Sequence, residues 1–245
     1  MASTLYLYGI LPAANLPHLE VEGLDQQAVQ MHQIDSFVFL YSMARQERYL
    51  ASRRNLLGHE RVLEKAMEEG CRALLPLQFG MTIEDWTTVQ QQLIQPRGEQ
   101  LKQLFHKLNG RREVGIKIFW DAEQELATLM RENERLRLER DRLEGKSLSM
   151  DQIIAIGQSI EQAMNARKQE IIERFRTVLN SLTVEMVENE GLSEAMIYNA
   201  AYLIEWEAEP QFSQVVESLD TEFGDRLRIR YNNFTAPFNF AQLAD

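Results

Sequence analysis

The sequence predicts an α+β protein of two domains followed by an ordered C-terminal tail. Three observations carry this reading. The first half alternates short apolar, strand-like runs with amphipathic helical ones. The second half opens on a strictly alternating strand and continues into two long helical segments, and the chain ends with four aromatics between Tyr231 and Phe240. The divisions fall at residues 1–110, 111–230 and 231–245.

Thr4 to Ile10 is strand-like and stops at Leu11-Pro12, after which residues 12–24, rich in Pro, Ala and Gly, read as a loop. Ala28 to Ile34 and Ser36 to Ser42 form two further strands turning at Asp35-Ser36. The second, SFVFLYS, is apolar enough to be central in a sheet. Leu56, Leu57, Glu60, Leu63 and Met67 recur at helical spacing and predict a helix from about Leu50 to Glu69, stopped by Gly70. ALLPLQFG is a short apolar run whose proline suits a strand end or an edge. In TIED, Thr82 stands three residues before Asp85 and predicts the cap of a helix that runs to Ile94, ahead of Pro96. These elements suit a small sheet with helices on one face.

In REVGIKIFW, Val114, Ile116, Ile118 and Trp120 alternate with Gly115, Lys117 and Phe119, the pattern of a half-buried strand. From Asp121 to Glu144, Leu126, Leu129, Asn133, Leu136, Arg140 and Leu143 trace a heptad seam along one helix, with Gly145 as its stop. Ser149, three residues before Gln152, caps a second helix whose Ile153, Ile160, Met164, Ile171, Phe175 and Val178 form the matching stripe. Joined by EGKSL, the two predict a long antiparallel helical hairpin. AMIYNAAYLIEW then predicts a strand, Glu209 to Phe223 a helix closed by Gly224, and Arg226 to Arg230 the last strand. Chain ends are normally polar and frayed, so Tyr231, Phe234, Phe238 and Phe240 predict a tail that is tied down, as an interdomain contact or against a partner. Pro237 keeps the tail extended, and docking on the body to tie the two domains together is the expected arrangement.

Composition narrows the function. Hydrophobic residues at 44% and charged ones at 26% are near average for a soluble globular chain. A formal net charge of −11 opposes nucleic acid and anionic lipid. No apolar run reaches the roughly 18 residues of a membrane helix, and the N-terminus lacks a signal pattern, so a cytoplasmic protein is expected. Cys71 is the only cysteine, which excludes an internal disulfide and suits a small buried side chain. No Gly-rich phosphate loop is present, the four histidines are scattered, and His59-Glu60 fails the HExxH pattern because Leu63 holds the partner position. No catalytic, metal or cofactor residue is assigned.

Charge is uneven. From Glu185 to Asp225 there are eleven acids and no Lys or Arg. Arg45, Arg48, Arg53 and Arg54 gather at the entry to the first helix, and Arg131, Arg135, Arg137, Arg140 and Arg142 crowd the hairpin. Solvated helix faces and ion pairs between domains account for most of this, while opposite-signed patches would also orient a partner.

Four stretches together, LYLYGI, RRNLLGHERVLEKAM leading into LLPLQFG, REVGIKIFWD, and DRLRIRYNNFTAPFNFAQL, resemble the gas vesicle protein F/L family, closest to its cyanobacterial GvpF members. The resemblance implies a ferredoxin-like N-terminal domain, an α+β C-terminal domain and a non-enzymatic role as a minor component or assembly factor of gas vesicles. It also implies contact with the small hydrophobic shell protein GvpA, leaves room for other accessory vesicle proteins, and brings no cofactor. An acidic soluble partner can mask an apolar shell protein until it joins the wall. With Asn133 and Arg140 weakening the seam, a monomer in solution is expected. Two other readings stand beside this one: a hydrolase or transferase whose site is assembled from dispersed residues around His59, and an interaction scaffold using the hairpin as a coiled-coil arm.

Overall fold

The apolar N-terminal run becomes the middle of a sheet. A computed structural model describes residues 4–14, 16, 18–141 and 149–243. Strand β1 (Leu5–Pro12) lies between β3 (Phe37–Met43) and β4 (Leu75–Pro76), with β2 (Gln30–Ile34) outside β3, and β5 (Thr82–Ile83) also pairs with β1. All of these pairings are antiparallel. The β2–β3 turn puts Asp35 at φ 53°, a left-handed conformation that Asp tolerates better than most residues.

Both faces of this sheet are covered. On one, Tyr6, Tyr8, Val38 and Leu40 pack with Val62, Leu63, Ala66 and Met67 of helix α1 (Arg53–Glu68). On the other, Phe37 stacks on Phe105 with centroids 5.9 Å apart, and Phe39 lies 5.7 Å from Trp86. These partners belong to α3 (Gln95–Leu108) and α2 (Trp86–Val89). The expectation of helices on one face is therefore corrected, and the uninterrupted SFVFLYS run follows from burial on both sides. Thr82 is likewise a strand residue, and the helix cap is Asp85, whose carboxylate accepts the Thr88 N–H at 2.8 Å. Nor does the helix stop before Pro96. A π-turn over Gln90–Ile94 joins α2 to α3, with the Gln95 N–H reaching the Gln90 carbonyl. That wider turn gives the proline ring room and asks nothing of its missing N–H.

The ferredoxin-like expectation also needs correction. That motif places a helix between its first two strands. Here the only helical turn among the described residues between β1 and β2 is the 3-10 turn Leu24–Gln26, and α1 follows β3.

A second antiparallel sheet has the order β7-β8-β6-β9, from β6 (Arg111–Trp120), β7 (Glu185–Glu188), β8 (Met196–Glu205) and β9 (Leu227–Thr235). Strand β7 is short and acidic, with no alternation to reveal it. The helix foreseen from Asp121 to Glu144 is two helices, α4 (Ala122–Glu132) and α5 (Glu134–Asp141). Asn133 leaves the helical region at φ −114°, its N–H closes α4 on the Leu129 carbonyl at 2.8 Å, and its side-chain oxygen accepts the Leu136 N–H at 3.1 Å. It is a stop and a cap rather than a polar interruption of the seam. Leu126, Leu129, Met130 and Leu136 pack against Ile160, Ala163 and Met164 of α6 (Met150–Leu179), and Ser149 with Gln152 forms the foreseen capping box. Ile153, expected in that stripe, is exposed. Arg142, Leu143, Gly145 and the EGKSL connector lie outside the described residues. Helix α7 (Glu209–Phe223) ends at Gly224, whose φ of 53° suits glycine.

The chain divides into two compact units. The first comprises Met1–Val114, Tyr202–Glu207 and Asn232–Asp245, the second Gly115–Ala201 and Ala208–Tyr231. The first unit thus takes in the tail residues beyond Tyr231 and a short piece of β8, which the sequence division placed elsewhere.

The second unit contains a buried ion cluster. Glu125 of α4, 1% exposed, accepts from Arg167 Nε at 2.7 Å and from Arg226 Nε at 2.8 Å, and Arg167 also reaches Glu132 at 2.6 Å. Burial pushes the Glu125 carboxyl up, but the bonds from Arg226 and Arg167 prevail and hold it below the usual range. Removing one member of such a buried cluster costs about 3–5 kcal/mol because the remaining charges lose their partner. Glu125→Ala is therefore expected to lower the urea unfolding free energy by that amount, whereas Glu139→Ala, whose loose 3.9 Å pair is with the exposed Arg135, should change it by less than about 1 kcal/mol.

Candidate functional site

Helix α1 carries His59 into the first core, where it is 2% exposed. Its Nε2 lies 3.0 Å from the Leu77 carbonyl, which can only accept, so Nε2 bears the proton and donates. Nδ1 then accepts from the Tyr6 hydroxyl at 2.9 Å, and the Tyr6 oxygen in turn accepts the Gly80 N–H at 2.9 Å. Every N–H and O–H of this relay thus finds an acceptor. Burial lowers the His59 pKa from 6.5 to about 4, against the opposing bond to Leu77. Both ring nitrogens are held by a phenol and a backbone carbonyl, not by a carboxylate, so the hydrolase reading loses the residue it was built on. Cys71 is buried, and its pKa is pushed up to about 11 by that burial. Among the described residues no group of three or more His, Cys, Asp or Glu could hold a metal ion, and no helix is long and apolar enough to cross a membrane.

The four aromatics singled out near the C-terminus have distinct places. Tyr231 stacks on Phe212 at 5.8 Å and donates to Glu209 at 3.2 Å, all within the second unit. Phe234, Phe238 and Phe240 belong to the first unit. Phe234 stands edge-on to Trp206 at 6.3 Å, with the Arg112 guanidinium 4.9 Å from the Trp206 ring and 5.1 Å from the Phe234 ring. Arg112 also donates to the Asn233 carbonyl. Phe238 packs on the core beneath α1, 6.5 Å from the His59 ring, and Phe240 is 2% exposed with the Lys107 ammonium 5.5 Å from its ring. Between Phe234 and Phe238, Ala236 is fully buried.

A polar clasp adds to this packing. Glu113 of β6, 4% exposed, accepts the Asn239 backbone N–H at 2.9 Å and its side-chain amide at 2.6 Å. Sequence reading missed Glu113, Arg112 and Trp206 as anchors. The one available signal was an acid in the apolar stretch of REVGIKIFW, while the partners are remote in sequence. Both Asn239 donors favour the carboxylate, yet desolvation outweighs them and raises the Glu113 pKa from 4.5 to about 7.

Several charges elsewhere are paired. In the acidic stretch Glu188 meets Arg176 at 2.6 Å, Glu205 meets Arg111 at 3.0 Å, Glu207 meets Arg72 at 3.1 Å and Glu222 meets Arg174 at 2.8 Å. Arg135, Arg137 and Arg140 of the hairpin pair locally with Glu139, Glu134 and Asp141. Exposed large apolar side chains include Leu50, Leu56 and Leu57 around the start of α1, and Leu138, Met150, Ile153 and Ile154 on the hairpin.

Two outcomes are expected. Phe240→Ala removes a fully buried ring and should cost about 3–5 kcal/mol in urea unfolding. Glu113 has a folded pKa above its unfolded one, so the folded state binds the extra proton, and stability falls as pH rises from 4.5 through about 7. A shift of this size corresponds to about 3 kcal/mol. Glu113→Gln should therefore gain on the wild type by up to that amount between about pH 4.5 and pH 8 in parallel urea titrations.

With the geometry in place, known proteins offer a comparison. The family model described as gas vesicle synthesis protein GvpL/GvpF matches residues 4–242. Gas vesicle protein F of Dolichospermum flosaquae is 58% identical over 243 residues, 99% of each chain. The crystal structure of gas vesicle protein GvpF from Anabaena sp. PCC7120 is similar with a TM-score of 0.92 at 54% identity, covering 99% of this chain and 100% of that one. The corresponding crystal structure from Microcystis aeruginosa has a TM-score of 0.87, again at 54% identity, over 98% of this chain and 100% of that one.

Proposed function

Since the chain belongs to the gas vesicle synthesis protein GvpL/GvpF family, we propose that it serves gas vesicle formation without catalysing a reaction, as a minor structural component or assembly factor that binds the shell protein GvpA and limits its aggregation during nucleation. The observation that carries this reading is the family match across residues 4–242 together with full-length similarity to gas vesicle protein F. The physical side supports it. A chain of net charge −11 stays dispersed while holding an apolar client, and its exposed leucines offer apolar contact. On this reading the protein works as a monomer in the cytoplasm and at the vesicle shell, and the C-terminal tail is structural.

The test is a refolding assay. GvpA diluted from denaturant scatters light as it associates, and an equimolar amount of this protein is expected to suppress the scattering and to elute with GvpA from a sizing column. Undiminished scattering with separate elution, together with normal vesicles in a strain lacking this chain, would contradict the proposal.

A further inference from the structure

The start of α1 breaks two local rules at once. Of the seven charged residues from Arg45 to Arg61, five are arginines (Arg45, Arg48, Arg53, Arg54 and Arg61), in a chain of net charge −11. None of the five makes a salt bridge among the described residues. Arg53 and Arg54 open the helix, whose first turn contains no acid, although the helix dipole favours carboxylates there. Leu50, Leu56 and Leu57 are 73%, 42% and 53% exposed in the same stretch. Neither feature helps the isolated fold, since solvated like charges repel and exposed leucines gain nothing.

The two features meet at a groove. A concavity of about 490 Å³ runs along α1, where Arg54, Leu57, Gly58 and Arg61 share one helical stripe, and its other wall is the turn Leu24–Gln26. Gly58 has no side chain to fill the groove, and a Cβ there would come within 3.0 Å of Leu24 Cδ2. The wall is fixed in place: Asp25 accepts from Tyr49 at 2.9 Å and from Gln46 at 3.1 Å, so its carboxylate is engaged by neighbouring donors. Glu47 and Glu60 are the only acids between Arg45 and Arg61.

We propose that this groove is a docking site for an acidic amphipathic helix of a partner protein, with its apolar stripe on Leu57 and its carboxylates on Arg54 and Arg61. In helix-in-groove recognition the incoming helix presents its apolar anchors at i, i+3, i+4 and i+7, and here they would lie along the α1 stripe that lines the groove. Charge complementarity selects the partner, because an acidic segment is repelled by most of this chain and attracted here, which also fixes its orientation. An anionic membrane is disfavoured by the same net charge and by the concave shape. The proposal goes beyond the function above by assigning a surface and a chemistry, and it can fail while GvpA binding stands.

The experiment uses the full chain and a synthetic helix of about 15 residues with leucines at i, i+3, i+4 and i+7 flanked by glutamates, followed by fluorescence anisotropy. A second peptide replaces every glutamate by lysine. The acidic peptide is expected to bind at least about tenfold more tightly than the basic one and to weaken severalfold between about 50 and 300 mM salt. Arg54→Glu and Leu57→Ser, both at exposed positions, should each reduce binding about tenfold with an unchanged melting temperature. Equal binding of the two peptides, no binding, or variants that bind like the wild type would overturn the proposal. So would sedimentation with phosphatidylserine vesicles that is lost in the same variants while the acidic peptide does not bind. Capture of GvpA by Arg54→Glu at wild-type strength would move the shell contact elsewhere and leave the proposed function intact.

Discussion

Three phenols and an imidazole sit in the core beneath α1, and the first unit is organised by the need to satisfy them. A buried polar atom without a partner costs about 1–3 kcal/mol, so each imposes a neighbour. Tyr6 and His59 bind the Gly80 N–H and the Leu77 carbonyl, which lays the segment leading to β5 across the sheet. Tyr8 receives the Leu24 N–H at 2.8 Å and meets Ser42 at 2.9 Å, and Tyr49 joins Asp25 to the Arg45 N–H. The irregular stretches around Leu24, Tyr49 and Leu77 are therefore fastened by the same aromatic cluster that fills the core. The rings also pack on one another, Tyr6 tilted against Tyr8 at 4.9 Å and Tyr8 stacked on His59 at 5.4 Å.

The C-terminal tail completes that core. Its apolar contacts go to the cluster beneath α1, its amides to Glu113, and its flank to the Arg112 and Trp206 stack. An aromatic end that looks from sequence like a binding motif is thus spent on its own unit. On the proposed function, a partner would meet side chains that remain in water, among them the arginines and leucines at the start of α1. The second unit follows another logic, holding α4, α6 and the turn before β9 through one buried carboxylate between two guanidiniums.

Periodic elements were legible in the sequence. The alternation of REVGIKIFW, the capping box at Ser149 and the Gly224 stop each reflect a local preference that tertiary packing did not oppose. The misreadings have specific causes. Pro96 ordinarily ends a helix, but a π-turn absorbs it. Asn133 fits a heptad position and also caps, and only backbone geometry decides between these. Thr82 matches a capping pattern, yet β1 offers it a strand partner, and four-residue β7 is too short to show a period. Nothing local could reveal that Glu113 meets Asn239 or that Arg112 lies between two rings, since those contacts depend on how distant segments are brought together. For the same reason the groove beside α1 was legible only as a cluster of arginines.

The central claim, that the tail is part of the first core, is tested most directly by residue-resolved amide hydrogen exchange in the native chain. Asn239 donates its N–H to Glu113 and Phe240 to the Pro237 carbonyl at 3.1 Å, so both amides can report. If the tail and core unfold together, these amides exchange with the same opening free energy as those of Ile10 and Phe39 in the central strands. Exchange of the tail through a local opening several kcal/mol cheaper than that of the strands would contradict the claim.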